Sequence, residues 1–115
     1  FPTRRSSDLI NMEIEYQEIA FKLILSAGNA KSLALQAIAS ARENCINEAY
    51  EKLQEADNEL QQVHSLQFKL IQKEAAGDKN EISVLLIHAQ DHFMGAVLIK
   101  DMAKELIHLY ERINK

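Results

Sequence analysis

Two histidines and an aspartate, His88, Asp91 and His92, lie within about one turn (~3.6 residues) of a predicted helix. Their spacings of three and four residues bring the side chains to one side of that helix. The residues around them, 84–87 and 93–99, are almost entirely apolar. Titratable groups in such surroundings carry a desolvation cost unless they are paired, exposed or used for chemistry. The cluster is therefore the first candidate for a functional site.

An imidazole in this setting is suited to phosphoryl transfer. Neutral histidine is a good nucleophile at about neutral pH and can accept a phosphoryl group on one ring nitrogen. We predict that His88 lies at the edge of a groove and is accessible, whereas His92 points toward the core and could be a core histidine without a chemical role. A neighbouring imidazole can donate a hydrogen bond to phosphoryl oxygens. The apolar surroundings suit the docking of donor and acceptor proteins.

Two other functions fit the same cluster. His88 and His92 have the i, i+4 spacing of zinc ligands, but the general-base glutamate of a zinc protease helix is replaced here by Ala89. A hydrolase is therefore disfavoured, while a metal-binding bundle with both histidines as ligands remains an alternative. The second alternative is a purely structural helical adaptor. His64 and His108 stand alone and are predicted to be surface residues.

Composition narrows the class of protein. The chain has 115 residues and a net charge of −4, which fits one domain without a basic face for nucleic acid or anionic lipid. Its single cysteine, Cys45, excludes an intrachain disulfide, and the absence of a cationic neighbour disfavours a reactive thiol. No apolar run approaches the ~18 residues of a membrane span, and we see no signal peptide. We therefore expect a cytoplasmic protein.

The first eleven residues differ from the rest of the chain. Residues 1–9 show no helical periodicity and resemble translated adapter or vector sequence, and Met12 could be the natural start. We expect 1–11 to be a non-native extension and 12–115 to form a single helical domain.

From Met12 onward, apolar residues recur at steps of three and four, and strand-like alternation is absent. The predicted helices cover 13–44, 48–76 and 81–114. Each is roughly 45 Å long at about 1.5 Å per residue, and the short turns between them predict an all-α, antiparallel three-helix bundle.

Local signals refine these boundaries. Asn47 could be the N-cap of the second helix, and Gly77 is predicted to cap its C-terminus before a turn at 78–80. Gly28 falls inside the first helix, where it predicts either a kink or the close approach of another backbone.

The third helix has two apolar stripes. The first should pack on the other helices and comprises Leu85, Ala89, His92, Ala96, Ile99, Ala103, Leu106 and Tyr110. The second lies well around from it and comprises Val84, Ile87, Asp91, Met94, Gly95, Leu98 and Met102. A helix that is apolar nearly all round is buried all round. We therefore predict a homo-oligomer whose axis is lined by the third helices.

Asp91 lies in the middle of the second stripe. At a symmetric interface every subunit would contribute the same carboxylate, and like charges so close repel one another unless a cation neutralises them. A shared divalent ion with oxygen ligands, such as Mg²⁺, would do so. The alternative is a carboxylate that hydrogen-bonds locally or reaches water at the edge of a groove.

The motif 88–94, HAQDHFM, together with the runs 27–32 and 72–75, resembles a known family. The chain is similar to the enzyme IIA component of the lactose/cellobiose (N,N'-diacetylchitobiose) group of the bacterial phosphoenolpyruvate-dependent sugar phosphotransferase system. The resemblance covers residues 13–110. It implies a homotrimer of three-helix subunits.

The resemblance also implies roles for single residues. His88 would be phosphorylated through Nε2 by the phosphohistidine of HPr and would pass the phosphoryl group to a cysteine of the cognate IIB, for the uptake of a β-linked disaccharide. Asp91 would be the buried carboxylate at the threefold axis, where a divalent cation, expected to be Mg²⁺, can bind. Gln90 and His92 would lie beside the active histidine and support the phosphate site.

Overall fold

Three helices form the fold of this chain, whose computed structural model describes residues 6–77 and 83–114. They are α1 (Ser6–Arg42), α2 (Ile46–Ala75) and α3 (Val84–Ile113). α1 packs closely on both other helices, and α2 and α3 touch each other less. The described part of the chain contains no strand. The prediction of an all-α antiparallel three-helix bundle is confirmed. None of the three helices, over the residues described, combines the length and apolarity that crossing a bilayer requires.

α1 begins at Ser6, seven residues before the predicted start. Between Pro2 and Gly28 the sequence holds neither proline nor glycine, so nothing in its composition ends the helix there. Serine and aspartate at 6–8 are also residue types favoured at helix N-termini. Part of the expected extension is therefore helical, while residues 1–5 lie outside the described residues. The non-native origin of 1–11 stays a prediction.

α1 ends in a Schellman motif. Asn44 adopts a left-handed conformation with φ 63°. The backbone N–H of Cys45 donates to the carbonyl of Ser40 at 2.8 Å, and that of Asn44 donates to the carbonyl of Ala41 at 3.0 Å. α2 then begins at Ile46, so Asn47 lies in its first turn. The prediction of Asn47 as the N-cap was wrong, because this tight motif lets the second helix start earlier.

The connection between α2 and α3 was predicted in part. Gly77 has φ 89°, which confirms it as the residue that ends α2, since glycine reaches this conformation without steric cost. The predicted turn at 78–80 lies outside the described residues. α3 begins at Val84 because Ser83 caps it: the Ser83 hydroxyl oxygen accepts the N–H of Leu86 at 3.1 Å.

The core of the bundle is built mainly from small side chains. Apart from Leu23 and Ile107, its fully buried side chains are small. Alanines with at most 1% exposure dominate and lie on all three helices: Ala20, Ala27, Ala30, Ala34, Ala37, Ala41, Ala49, Ala56, Ala89, Ala96 and Ala103. Small residues let helices approach closely. α1 runs through Gly28 without a break, and within the single chain no other backbone comes close there, since an added Cβ would meet no atom within 4 Å.

The buried face of α3 is rotated slightly from the predicted first stripe. Ala89, Ala96 and Ala103 are buried as expected, but Phe93 and Ile107 complete that face. The other members of the first stripe are only half-buried: Leu85, His92, Ile99, Leu106 and Tyr110. The second stripe is exposed in the single chain except for Gly95, which is half-buried.

Candidate functional site

His88 and His92 lie on one side of α3, one turn apart. The ring of His88 is exposed, and that of His92 is half-buried. Their ring centroids are 4.3 Å apart and the ring planes meet at 84°, an edge-to-face arrangement. The prediction that their spacing brings the two imidazoles together is confirmed, and so is the accessibility of His88.

A lysine from another helix joins the pair. The side chain of Lys31 crosses from α1, and its Nζ lies 3.1 Å from Nδ1 of His92. The sequence had pointed to Lys31 only as one residue of the run 27–32, without a role. The structure supplies the reason: Lys31 stands at a half-buried position among the small residues of α1, where an ammonium group needs a partner.

Gly95 lies beside the lysine side chain. A Cβ added at Gly95 would stand 3.5 Å from both Cε and Nζ of Lys31, which is ordinary van der Waals contact. A single added methyl group would therefore fit beside the end of Lys31, where it reaches across to His92.

Several groups make the charged form of His92 unfavourable. Burial is the largest cause that lowers the pKa of His92. The positive charge of Lys31 lowers it further, as does His88 whenever its ring is protonated. The carboxylate of Asp91 opposes them, but the net direction is downward from the ordinary value of 6.5. His92 is therefore held as a neutral imidazole at neutral pH.

In the single chain Gln90 contacts α2 rather than His88, and its supporting role at the phosphate site stays a prediction. Its Oε1 accepts a hydrogen bond from Nε2 of Gln67, on α2, at 3.4 Å, and both side chains are half-buried. The reason is geometric, because two positions along a helix are about 200° apart around its axis. In the single chain Gln90 thus ties α3 to α2 on the side away from His88.

Asp91 is exposed, on the second stripe between Ile87 and Met94. Among the residues described, no group of three or more His, Cys, Asp and Glu side chains is placed to hold a metal ion. The metal-binding alternative, with His88 and His92 as ligands, therefore finds no third ligand within this part of the chain. An ion at Asp91 would need carboxylates from further chains.

The remaining candidates lie away from this cluster. His64 and His108 are exposed on α2 and α3, which confirms the prediction that they are surface residues. Cys45 is also exposed, at the junction of α1 and α2. The described part of the chain thus brings together His88, His92 and Lys31, with Asp91 on the neighbouring exposed face.

Comparison with known proteins matches the part of the chain that contains the HAQDHFM motif. A family model described as the lactose/cellobiose-specific IIA subunit of the PTS system matches residues 18–111. The lichenan-specific phosphotransferase enzyme IIA component of Bacillus subtilis (strain 168) is 48% identical over 104 residues, which is 90% of this chain and 94% of that protein.

Solved structures of IIA proteins are also similar to this chain. The crystal structure of the PTS cellobiose-specific enzyme IIA from Bacillus anthracis is similar with a TM-score of 0.82 and 45% identity, covering 86% of this chain and 91% of that one. A solution structure of the IIA(chitobiose)–HPr complex from the N,N'-diacetylchitobiose branch of the Escherichia coli phosphotransferase system gives a TM-score of 0.75 and 32% identity, covering 87% and 97%.

Proposed function

Because the chain belongs to the lactose/cellobiose-specific IIA family of the PTS system, we propose that it is a phosphocarrier that takes a phosphoryl group onto His88. The observation that carries the proposal is the exposed imidazole of His88 with the imidazole of His92 packed against it, 4.3 Å between ring centroids. The first ring supplies the nucleophile, and the second can donate a hydrogen bond to the phosphoryl oxygens.

The transfer itself needs little from the protein beyond position and charge stabilisation. The Nε2 lone pair of neutral His88 forms the new N–P bond. The N–P bond of the donor's phosphohistidine breaks at the same centre, and the donor imidazole leaves with that electron pair. In the second step a cysteine thiolate attacks the same phosphorus, and His88 leaves as the neutral imidazole. No oxidant, reductant or further cofactor is required for either step.

HPr is the proposed donor, since a relative of the same fold has been solved in complex with HPr. A cysteine of the cognate IIB is the proposed acceptor, and we propose that this transfer between proteins takes place in the cytoplasm. The related proteins belong to lichenan, cellobiose and chitobiose systems. We therefore propose that the system transports and phosphorylates a β-linked disaccharide. The carrier itself only passes the phosphoryl group on.

We also propose that the functional unit is a homotrimer. The second stripe of α3 is far too apolar for a free surface, with Val84 84% exposed, Leu98 63% and Met102 54%. Packing three copies of α3 around one axis would bury this stripe. The Asp91 carboxylates would then meet, and a divalent cation, Mg²⁺ by the preference of oxygen ligands, would neutralise them. Its role would be assembly, because Asp91 faces away from the α1–α3 contact at His92.

Phosphorylation of the purified chain tests the proposal. The protein is incubated with enzyme I, HPr and labelled phosphoenolpyruvate, and the label is mapped by mass spectrometry under alkaline conditions that preserve phosphohistidine. We expect one phosphoryl group per chain, on His88.

Variants make the test specific. His88→Ala should abolish labelling without loss of helicity, because the side chain is exposed. His108→Ala, an exposed histidine lower on the same helix, should label like the wild type. A wild-type chain that stays unlabelled beside an active control IIA would contradict the carrier function and return the structural adaptor or the metal-binding bundle to first place.

A further inference from the structure

The contact between Lys31 and His92 restricts where the proton of that imidazole can be. A lysine ammonium group has three donors and no acceptor, so Nδ1 of His92 must accept the 3.1 Å hydrogen bond. A neutral imidazole carries one N–H, and with Nδ1 accepting, that N–H is on Nε2. Nδ1 of His92 therefore accepts the hydrogen bond from Lys31, and Nε2 carries the proton.

We propose that Lys31 is a positioning residue that fixes the Nε2–H tautomer of His92 and thereby makes His88, not His92, the phosphoryl acceptor. The inference rests on the proposed function, since it concerns which of two adjacent histidines takes the phosphoryl group. Only an imidazole nitrogen with a free lone pair can attack phosphorus. On His92 that lone pair is bound to the Lys31 ammonium, whereas the ring of His88 is exposed and packs edge-to-face against the ring of His92.

The same contact gives His92 its supporting role. With its proton on Nε2, His92 presents a donor, and phosphoryl oxygens are acceptors. Without Lys31, the proton could move to Nδ1, and Nε2 would become a second nucleophile next to His88. Gly95 lies beside this contact, and a Cβ added there would only touch Cε and Nζ of Lys31, at 3.5 Å.

The tautomer can be measured on the unphosphorylated protein. Long-range ¹H–¹⁵N correlation spectra distinguish a protonated from an unprotonated ring nitrogen, and a His92→Asn spectrum assigns the signals. We expect Nε2–H for His92 in the wild type and a mixture of tautomers in Lys31→Met. Lys31→Arg restores a cationic donor and should restore the wild-type pattern. Lys22→Met changes an exposed lysine of the same helix and should change nothing.

Chemical phosphorylation tests the consequence without any partner protein. With phosphoramidate as donor, the imidazole lone pair forms the N–P bond, and ammonia leaves with the electrons of the broken P–N bond. In a His88→Ala background, His92 should be almost unlabelled, while exposed His64 and His108 serve as internal standards. Adding Lys31→Met should raise the label on His92, relative to those standards, by about tenfold or more, as expected for the loss of a charged hydrogen bond.

Either of two results overturns the proposal: a wild-type His92 with its proton on Nδ1, or a Lys31→Met protein whose His92 tautomer and label are both unchanged. Neither measurement uses HPr. A failure of Lys31 to act in this way is therefore distinguishable from a failure of the chain to act as a carrier, which would leave the enzyme I and HPr assay negative for the wild type.

Discussion

The imidazole of His92 takes part in two contacts of different origin. Its contact with His88 is set by helix periodicity, so four positions of spacing were enough to predict it. Its contact with Lys31 joins residues 61 positions apart. No local pattern encodes such a contact, because it depends on how α1 and α3 are aligned lengthwise. The same limit explains Gln90, whose neighbour Gln67 on α2 could not be identified from the motif alone.

His92→Asn should slow phosphoryl transfer to His88 without preventing it. Asparagine keeps a polar side chain but loses both the edge-to-face contact and the ring N–H. A charge-assisted hydrogen bond contributes about 1.5–3 kcal/mol, so the rate of labelling should fall by roughly 10- to 100-fold. Rapid-quench labelling with phospho-HPr measures this rate. Wild-type kinetics in the variant would mean that His92 is only a packing residue.

At the scale of the helices, the residues that mark helix ends account for most of the correctly predicted boundaries and also for the errors. Gly77 ends α2 as its residue type predicts. The starts of α2 and α3 were displaced because two capping residues were not recognised, Asn44 with its positive φ and Ser83 with its hydroxyl. Serine before an apolar run is a known N-terminal signal, so Ser83 could have been found from the sequence. Asn44 could not, since asparagine occurs equally in ordinary turns.

Ser83→Ala should weaken the start of α3. The change removes the acceptor for the N–H of Leu86, and loss of an N-cap lowers the free energy of unfolding by about 1 kcal/mol. Urea denaturation measures this difference. Ser65→Ala, at an exposed position within α2, is the matched control and should be neutral or slightly stabilising, since alanine is the better helix former. Equal losses for both variants would show that the cap contributes nothing.

Glu15 ties α1 to α2 in a pH-dependent way. The hydrogen bond from Lys73 is the largest cause that lowers the pKa of Glu15 below its ordinary 4.5, and Lys69 adds to it, each Nζ lying 3.4 Å from Oε1. Because the folded-state pKa is lower than the unfolded one, the stabilisation is complete above pH 4.5. It is lost as pH falls through the lowered pKa.

Glu15→Gln should therefore lower the free energy of unfolding at neutral pH by about 0.5 kcal/mol, a small value because solvent screens a side chain exposed by 44%. The difference from wild type should vanish in acid, once the folded-state carboxyl is protonated. Denaturation curves at neutral and acid pH, with exposed Glu51→Gln as control, measure it. A difference that persists or grows in acid would contradict the ion pairs as its cause.

For the whole molecule, the sequence predicted the unpartnered face of α3 from its apolar periodicity alone. The structure confirms that Ile87, Met94 and Leu98 lie exposed in the single chain, each by more than half. In the proposed homotrimer this face packs against other chains, so neither the sequence pattern nor the structure of one chain contains the geometry of that contact. Asp91 is the residue through which the proposed assembly can be examined.

Asp91→Leu should keep or raise the stability of the trimer. The substitution replaces converging like charges by apolar surface on a stripe that is otherwise apolar. Sedimentation equilibrium over a dilution series measures the association. A chelator should weaken the wild-type assembly if a divalent ion bridges the carboxylates, and it should leave Asp91→Leu unaffected. A variant that sediments as a monomer would show that the bridged carboxylates are essential to assembly.

The alanine-rich core has a consequence for how folding depends on concentration. An alanine loses no side-chain entropy on burial, but each one removes only a single methyl group from water. Such a core gains less hydrophobic free energy per buried residue than one built throughout from larger side chains, while much apolar area stays exposed on α3. Folding and association should therefore be linked by mass action, and the melting temperature should rise with protein concentration. Dilution would then lower the temperature at which this protein unfolds.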